Sequence, residues 1–287
     1  MEATMEVRDR EERRRTLRLR RSSLTSLKLE GIDRPAIKIA EDKDEYLRSF
    51  KLAYREYLKS GYLAEDPSCP YLFSVYSLLP ETCIFIFKSH LDVVSSLTEI
   101  FDTEIFGLPM DVIYRPEIDS LREKDRIVVE LSSFVTHSKY RWRNIMIYLT
   151  RAMFFYSRMN CVNDICITVN PKHVPFYKRI FLFDTFGPER MHPGVKAPAV
   201  LMRINMDDIE DKLSKKYAHF QFDEDLHRFF CRTTIGDTEK LDHKICTKTN
   251  TLRPQEIKDI IEKKPQIIRS LNSEQENYVH KHLLRDL

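Results

Sequence analysis

Apolar and aromatic side chains recur at Tyr46, Leu47, Phe50, Ala53, Tyr54, Tyr57 and Leu58, the spacing of one buried helix face. Asp42 or Asp44 can cap the first turn and Gly61 can stop the last, so a long helix is expected over residues 42–60 to open the domain. Two runs of strand character follow, TCIFIFK at 82–88 and VVSSLTEI at 93–100, and the turn-like Ser89, His90 and Asp92 between them predict a hairpin. FDTEIFGLPMD at 101–111 reads as a loop by Gly107 and Pro109, and residues 116–124 as a short helix. RIVVELSSFV at 126–135 is the strongest strand pattern in the chain. It leads through the polar, basic THSKYRWR into a helix over 143–158, whose apolar face carries Ile145, Met146, Leu149, Met153 and Phe154. DICITV at 164–169 is another strand, HVPFYKRI a short helix, and AVLMRINM at 199–206 a further strand. Strands alternating with helices indicate an α/β or α+β domain whose central strand pair is parallel.

Past residue 207 the pattern changes to short polar helices at 253–263 and 273–284, the second opened by a capping box from Ser273 to Glu276. Three parts are therefore expected: a basic, mobile tail over 1–38, a catalytic-sized domain over 39–207, and a helical extension over 208–287.

Composition narrows the class. The 287 residues are 42% hydrophobic and 32% charged, enough apolar material for a substantial core. No apolar run reaches the roughly 18–20 residues that span a bilayer, and no signal-peptide pattern opens the chain, so a soluble, cytoplasmic protein is expected. Residues 1–30 carry nine Lys or Arg against six Asp or Glu and so hold the whole net charge of +3. A neutral body argues against a domain built to bind nucleic acid. The eight arginines over 8–21 read either as a solvated tail or as an arm for a membrane surface or nucleic acid. The six cysteines form no CxxC pair and read as reduced thiols. His227, Cys231, His243 and Cys246 make an H-x3-C-x11-H-x2-C series that zinc could use, but the order is not that of the common fingers, and no metal is expected.

Candidate chemistry gathers where the strongest strand meets the next helix. Glu130 interrupts the apolar run VVELSSF, and strand alternation puts it opposite to Val129 and Leu131. Such a carboxylate is either solvated or purposeful, and partial burial would raise its pKa towards that of a general base. Lys139, Arg141 and Arg143 interleave with Tyr140 and Trp142 where a loop enters a helix N-terminus. They read either as a phosphate-binding edge or as solvated loop charge. No Walker A or GxGxxG sequence is present.

The order of these elements resembles that of the GNAT acyltransferases. NPKHVPFYKRIFLFDTFGPERMHPGVKAPAVLMRINM at 170–206 resembles the end of the catalytic core of the long-chain N-acyl amino acid synthases. REYLKSGY, FDTEIFGLPMD and LREKDRIVVELSSF fit the same family, and ELS at 130–132 is also similar to the acyl-homoserine-lactone synthases. The resemblance covers about residues 40–206 and implies a GNAT-like mixed central sheet flanked by helices.

It implies roles as well. Glu130 falls on the family's base, Tyr177 on the tyrosine that protonates the departing thiolate, and Asn170 on the asparagine ending the fifth strand. Backbone N–H groups near Ser133 and Phe134 would form the oxyanion site where the strand splays. THSKYRWR lacks the glycines of a pyrophosphate loop, which points to a fatty acyl group on the phosphopantetheine of acyl carrier protein. Lys139, Arg141 and Arg143 would meet that donor, with no cofactor bound otherwise. Ser133 replaces the arginine of the lactone synthases' E-x-S-R, which disfavours homoserine lactone as product, and Leu182 stands where a glycine-phenylalanine pair would begin the next strand. Arg122 or Arg126 is expected to take the carboxylate of the amino acid acceptor. Met146, Leu149, Met153 and Phe154 either line an acyl tunnel or are plain core. A non-catalytic sensing or scaffold protein on the same fold is the rival reading.

Overall fold

A computed structural model describes residues 27–141, 143–194, 196–217, 225–231, 242–244 and 252–285 of the chain. Its centre is a mixed sheet. The strands are β1 (Pro35–Ile39), β2 (Cys83–Ser89), β3 (Asp92–Phe101), β4 (Val128–Thr136), β5 (Asp164–Val169), β6 (Asp184–Thr185), β7 (Arg190–His192), β8 (Ala197–Asn205) and β9 (Asp242–Lys244). Eight run in the order β6-β8-β5-β4-β3-β2-β1-β9, and β7 pairs separately with β8. β2 and β3 form the expected antiparallel hairpin, and β4 and β5 the expected parallel pair.

Both faces of the sheet are covered, which is why β2 reads as a nearly continuous apolar run and why even the polar positions of β3 are buried. Helix α1 (Lys43–Lys59) covers one face; the Asp42 side chain caps it by accepting from Glu45 N at 2.9 Å, leaving the alternative cap Asp44 in the first turn. Helix α2 (Asp111–Arg122) packs beside it with Pro116 inside and a kink at Tyr114, so it starts before the expected residue 116. Helix α3 (Ile145–Met159) covers the other face against β2 and β3. Among the described residues no helix is long and apolar enough to cross a membrane.

Three boundaries differ from the sequence reading. β1 lies within the stretch assigned to the tail, because a five-residue strand with one buried side gives too short an alternation to stand out. The extension is not wholly helical, since the backbone of β9 pairs in parallel with β1. Its last helices do not trail away: residues of α6 (Pro254–Ile261), α7 (Gln266–Arg269), α8 (Ser273–Tyr278) and the turn after it share one apolar cluster with α1, Phe73 and Phe106. The cap of α8 is Asn272 bonded to Gln275 N, one residue earlier than the box expected at Ser273. Between these lie α4 (Ile209–Tyr217) and α5 (Leu226–Cys231).

Candidate active site

Glu130 is buried rather than solvated. It is 4% exposed, on the face that carries α1 and α2, and its Oε2 accepts from Met110 N at 2.7 Å. Burial pushes its carboxyl up to about 8; the Met110 N–H opposes the shift and the Asp111 charge adds to it. The loop that delivers Met110 is held by charge. Arg122 reaches Asp102 at 2.6 Å, Asp119 at 2.6 Å and Asp111 at 2.7 Å, while Asp111 Oδ2 accepts from Leu108 N at 3.0 Å.

β4 changes character directly after this glutamate. Its ladder with β5 stops at Leu131 and Ile167, although β5 runs on to Val169 against β8. On the other side, Ser133 and Phe134 stand against the single residue Leu97 of β3, a β-bulge. Ser133 takes the left-handed φ of 51° that makes the extra residue possible. The strands thus part where the sequence reading placed the splay, and the bulge turns the backbone of Ser133 and Phe134 out of regular pairing.

A chain of tyrosines is electrostatically linked to Glu130 through Tyr57. Tyr177 lies in the irregular helical turns that follow Asn170, whose side chain accepts from Lys172 N at 3.2 Å. Burial, with Tyr57 nearby, raises the Tyr177 hydroxyl well above its usual range. Tyr57, from the last turns of α1, is pushed up to about 12 by burial, by Tyr62 and by Glu130. Its ring meets that of Tyr62 edge-on at 5.8 Å. Tyr57 was visible in the sequence only as one position of an apolar stripe; nothing in that spacing marks it as electrostatically coupled to Glu130. Leu182 ends the turn in the left-handed conformation, with φ 59°, that a glycine would adopt without strain.

The remaining candidates divide. Arg141, half exposed, bonds Glu56 at 2.6 Å, and the Lys139 ammonium stands over the Tyr140 ring at 5.6 Å. Arg143 stands over the same ring at 5.6 Å and donates to the carbonyls of Lys28 and Glu30, so it ties down the segment before β1. Burial works to raise the Glu56 carboxyl, but Lys59 and Arg141 outweigh it and leave it below its usual range.

The two acceptor candidates need correction. Arg122 is occupied by three carboxylates, and Arg126 by Asp164, by Asp207 at 2.8 Å and by the Asn205 side chain at 2.7 Å. Arg126 also precedes β4, at the end opposite to the splay. Neither offers an unengaged fork. Leu149, Met153 and Phe154 are 0%, 1% and 4% exposed within one packed cluster, with Met146 against it, so they are placed as core. Of the four metal candidates, the side chains of His243 and Cys246 lie outside the described residues.

The GPER turn proves structural. A Cβ on Gly187 would stand 3.0 Å from the Tyr114 ring, the Tyr114 hydroxyl donates to Pro188 O and Ala199 O, and Arg190 pairs with Glu117 at 2.6 Å. These contacts fasten α2 to β7 and β8.

The model of the family described as N-acyl amino acid synthase FeeM matches residues 48–205 of this chain. That span contains the glutamate, the bulge, the splay and the tyrosines. The chain belongs to the FeeM family of N-acyl amino acid synthases. The solved structure of FeeM, an N-acyl amino acid synthase from uncultured soil microbes, is 20% identical at a TM-score of 0.58, over 64% of this chain and 99% of that one. The acyl-homoserine-lactone synthase LasI is 18% identical at a TM-score of 0.45, over 60% of this chain and 90% of that one. An acyl-CoA N-acyltransferase from Pseudomonas aeruginosa is 14% identical at 0.40, over 58% and 97%. A search of the curated proteins finds no match. Within the FeeM family, the fold is a GNAT-like sheet and the activity class is N-acyl transfer; residues 208–287 lie beyond the matched span.

Proposed function

We propose that this N-acyltransferase moves a fatty acyl group from the phosphopantetheine thioester of acyl carrier protein to the amine of an amino acid. The observation that carries the reading is Glu130: a buried carboxyl at the parting of two strands, with a carboxyl pKa of about 8. A base with that affinity can take a proton from an attacking ammonium near neutral pH, directly or through one water. The amine nitrogen then attacks the thioester carbonyl. The backbone N–H groups around the Ser133–Phe134 bulge stabilise the oxyanion, in the manner of preorganised donors aimed at developing charge. Collapse breaks the carbon–sulfur bond; Tyr177, held protonated by its raised pKa, gives its proton to the thiolate, and the second proton shed by the amine nitrogen restores the tyrosine through water. Lys139 and Arg141 remain exposed beside the opening and suit the acidic surface and phosphate of the carrier, mainly by speeding encounter.

Thioester release from acyl carrier protein, measured with a panel of amino acids, tests the reading. We expect release that needs an amino acid and a kcat/KM that rises with pH up to about 8, a limb lost in Glu130→Gln. Tyr177→Phe should slow transfer less and hurt poor thiol leaving groups most. Preference for acyl-CoA with no effect of charge reversal at Lys139 and Arg141 would reject the donor. Absence of release with any thioester would favour a binding protein on the same fold.

A further inference from the structure

The start of the C-terminal extension brings together three groups with metal-ligating chemistry, away from the cleft and beyond the span shared with the FeeM family. His227 and Cys231 lie four residues apart on α5, so they project from the same side of one helical turn. Glu210 approaches them from the first turn of α4. One ligand atom from each of the three lies within 4.8 Å of the other two.

Zinc bonds of about 2.0–2.3 Å place tetrahedral ligands roughly 3.3–3.8 Å apart, so the cluster needs to close by about an ångström, which side-chain rotation supplies. The present contacts of Glu210 are loose: Arg158 Nη2 stands 3.4 Å away and His227 Nε2 3.9 Å. His227 is buried at 8% exposure while Glu210 is exposed, so the cluster is anchored on one side and open to solvent on the other. A thiolate and a carboxylate together balance a divalent cation. A soft sulfur beside an imidazole selects zinc-like metals over magnesium or calcium.

We infer that Glu210, His227 and Cys231 form a site for a zinc-class divalent cation that clasps α4 to α5. Binding forms the metal–sulfur bond as the Cys231 thiol gives its proton to solvent, and the Glu210 carboxylate exchanges Arg158 for the metal. Water completes the coordination on the open side. The clasp has a structural consequence, because Phe229 and Phe230 of α5 rest edge-on against Tyr148 and Phe154 of α3 at 5.1 and 5.7 Å. Fixing α5 therefore fixes the cover over the outer side of α3.

The test uses the full chain, stripped with a chelator and titrated with cobalt(II) as a spectroscopic stand-in for zinc. We expect one cobalt per chain, with a thiolate-to-cobalt charge-transfer band and tetrahedral d–d bands, and displacement of both by zinc. Cys231→Ser should abolish the charge-transfer band. Glu210→Gln, a change at an exposed position that leaves the fold alone, should weaken cobalt binding at least tenfold. Absence of a thiolate band in the wild type, or cobalt binding in the two variants as tight as in the wild type, overturns the site.

Discussion

Glu99 and Glu130 are two carboxyls on neighbouring strands, 0% and 4% exposed, and burial pushes each up to about 8. Their surroundings separate them. Glu99 projects onto the α3 face, where Ser157 donates to one of its oxygens at 2.5 Å and the other oxygen has no hydrogen-bond partner among the described residues. Glu130 projects onto the opposite face, one residue before the ladder with β5 ends, beside the Met110 loop and within the electrostatic reach of Tyr57. One proton is sealed in and the other stands at an opening. A raised pKa by itself marks desolvation; the proposed role of Glu130 as base rests on the geometry of the opening.

The widest gap should appear in the rates. Glu130→Gln is expected to lower acyl transfer by roughly a hundredfold or more near neutral pH, the scale of a lost general base, with the fold retained. Glu99→Gln should leave the rate unchanged. Equal losses in both variants would erase the distinction.

Stability should treat the pair alike. The unfolded chain releases these protons near pH 4.5, whereas the folded chain keeps them to about 8. Over that window the folded state binds more protons, so stability falls as pH rises, by at most about 1.4 kcal/mol per pH unit for each group, and levels above it. Glu99→Gln removes one of the two contributions while keeping a polar group for Ser157. Urea unfolding at pH 5 and pH 8 should show the variant losing less stability than the wild type; parallel losses would remove Glu99 from the account.

A smaller effect sharpens the role of the Met110 loop. Gln275 donates to Ile105 O at 3.1 Å, and the Tyr278 ring meets Phe106 at 5.5 Å, so the C-terminal helices buttress the segment that presents Met110 to Glu130. Tyr278→Ala should speed hydrogen exchange across residues 103–111 and reduce kcat severalfold, with exchange in β8 unchanged. Uniform loosening of both regions would make Tyr278 a general core residue.

Much of this was legible in the sequence. β-branched and aromatic runs announced β2 to β5 and β8, the pair Asp42 and Asp44 announced the start of α1 without saying which caps it, and the single charge inside VVELSSF drew attention to Glu130. Glu99 escaped because TEI at the end of an apparently alternating strand looks like an ordinary solvent-facing polar position; burial on both faces is a property of what packs there. The arginines misled for a related reason. Arg122 and Arg126 are engaged by Asp102 and Asp164, 20 and 38 positions away, and no local spacing reveals such partners. Tyr57 and the Met110 N–H likewise acquire meaning only when α1 and a loop meet β4.

The embrace between the two ends of the chain also sets a schedule for biogenesis. Lys43 of α1 pairs with Asp259 of α6 across 216 positions, and Lys264 reaches the Phe73 carbonyl. At the ~5–20 residues per second of synthesis, α1 waits on the order of 10–40 s after leaving the ribosome before the helices that cover it have been made. During that interval, the apolar flank of α1 and the FDTEIFGLPMD loop remain uncovered. The nascent chain carries the cover of α1 far downstream of it, and the loop beside Glu130 is completed only once that cover has been made.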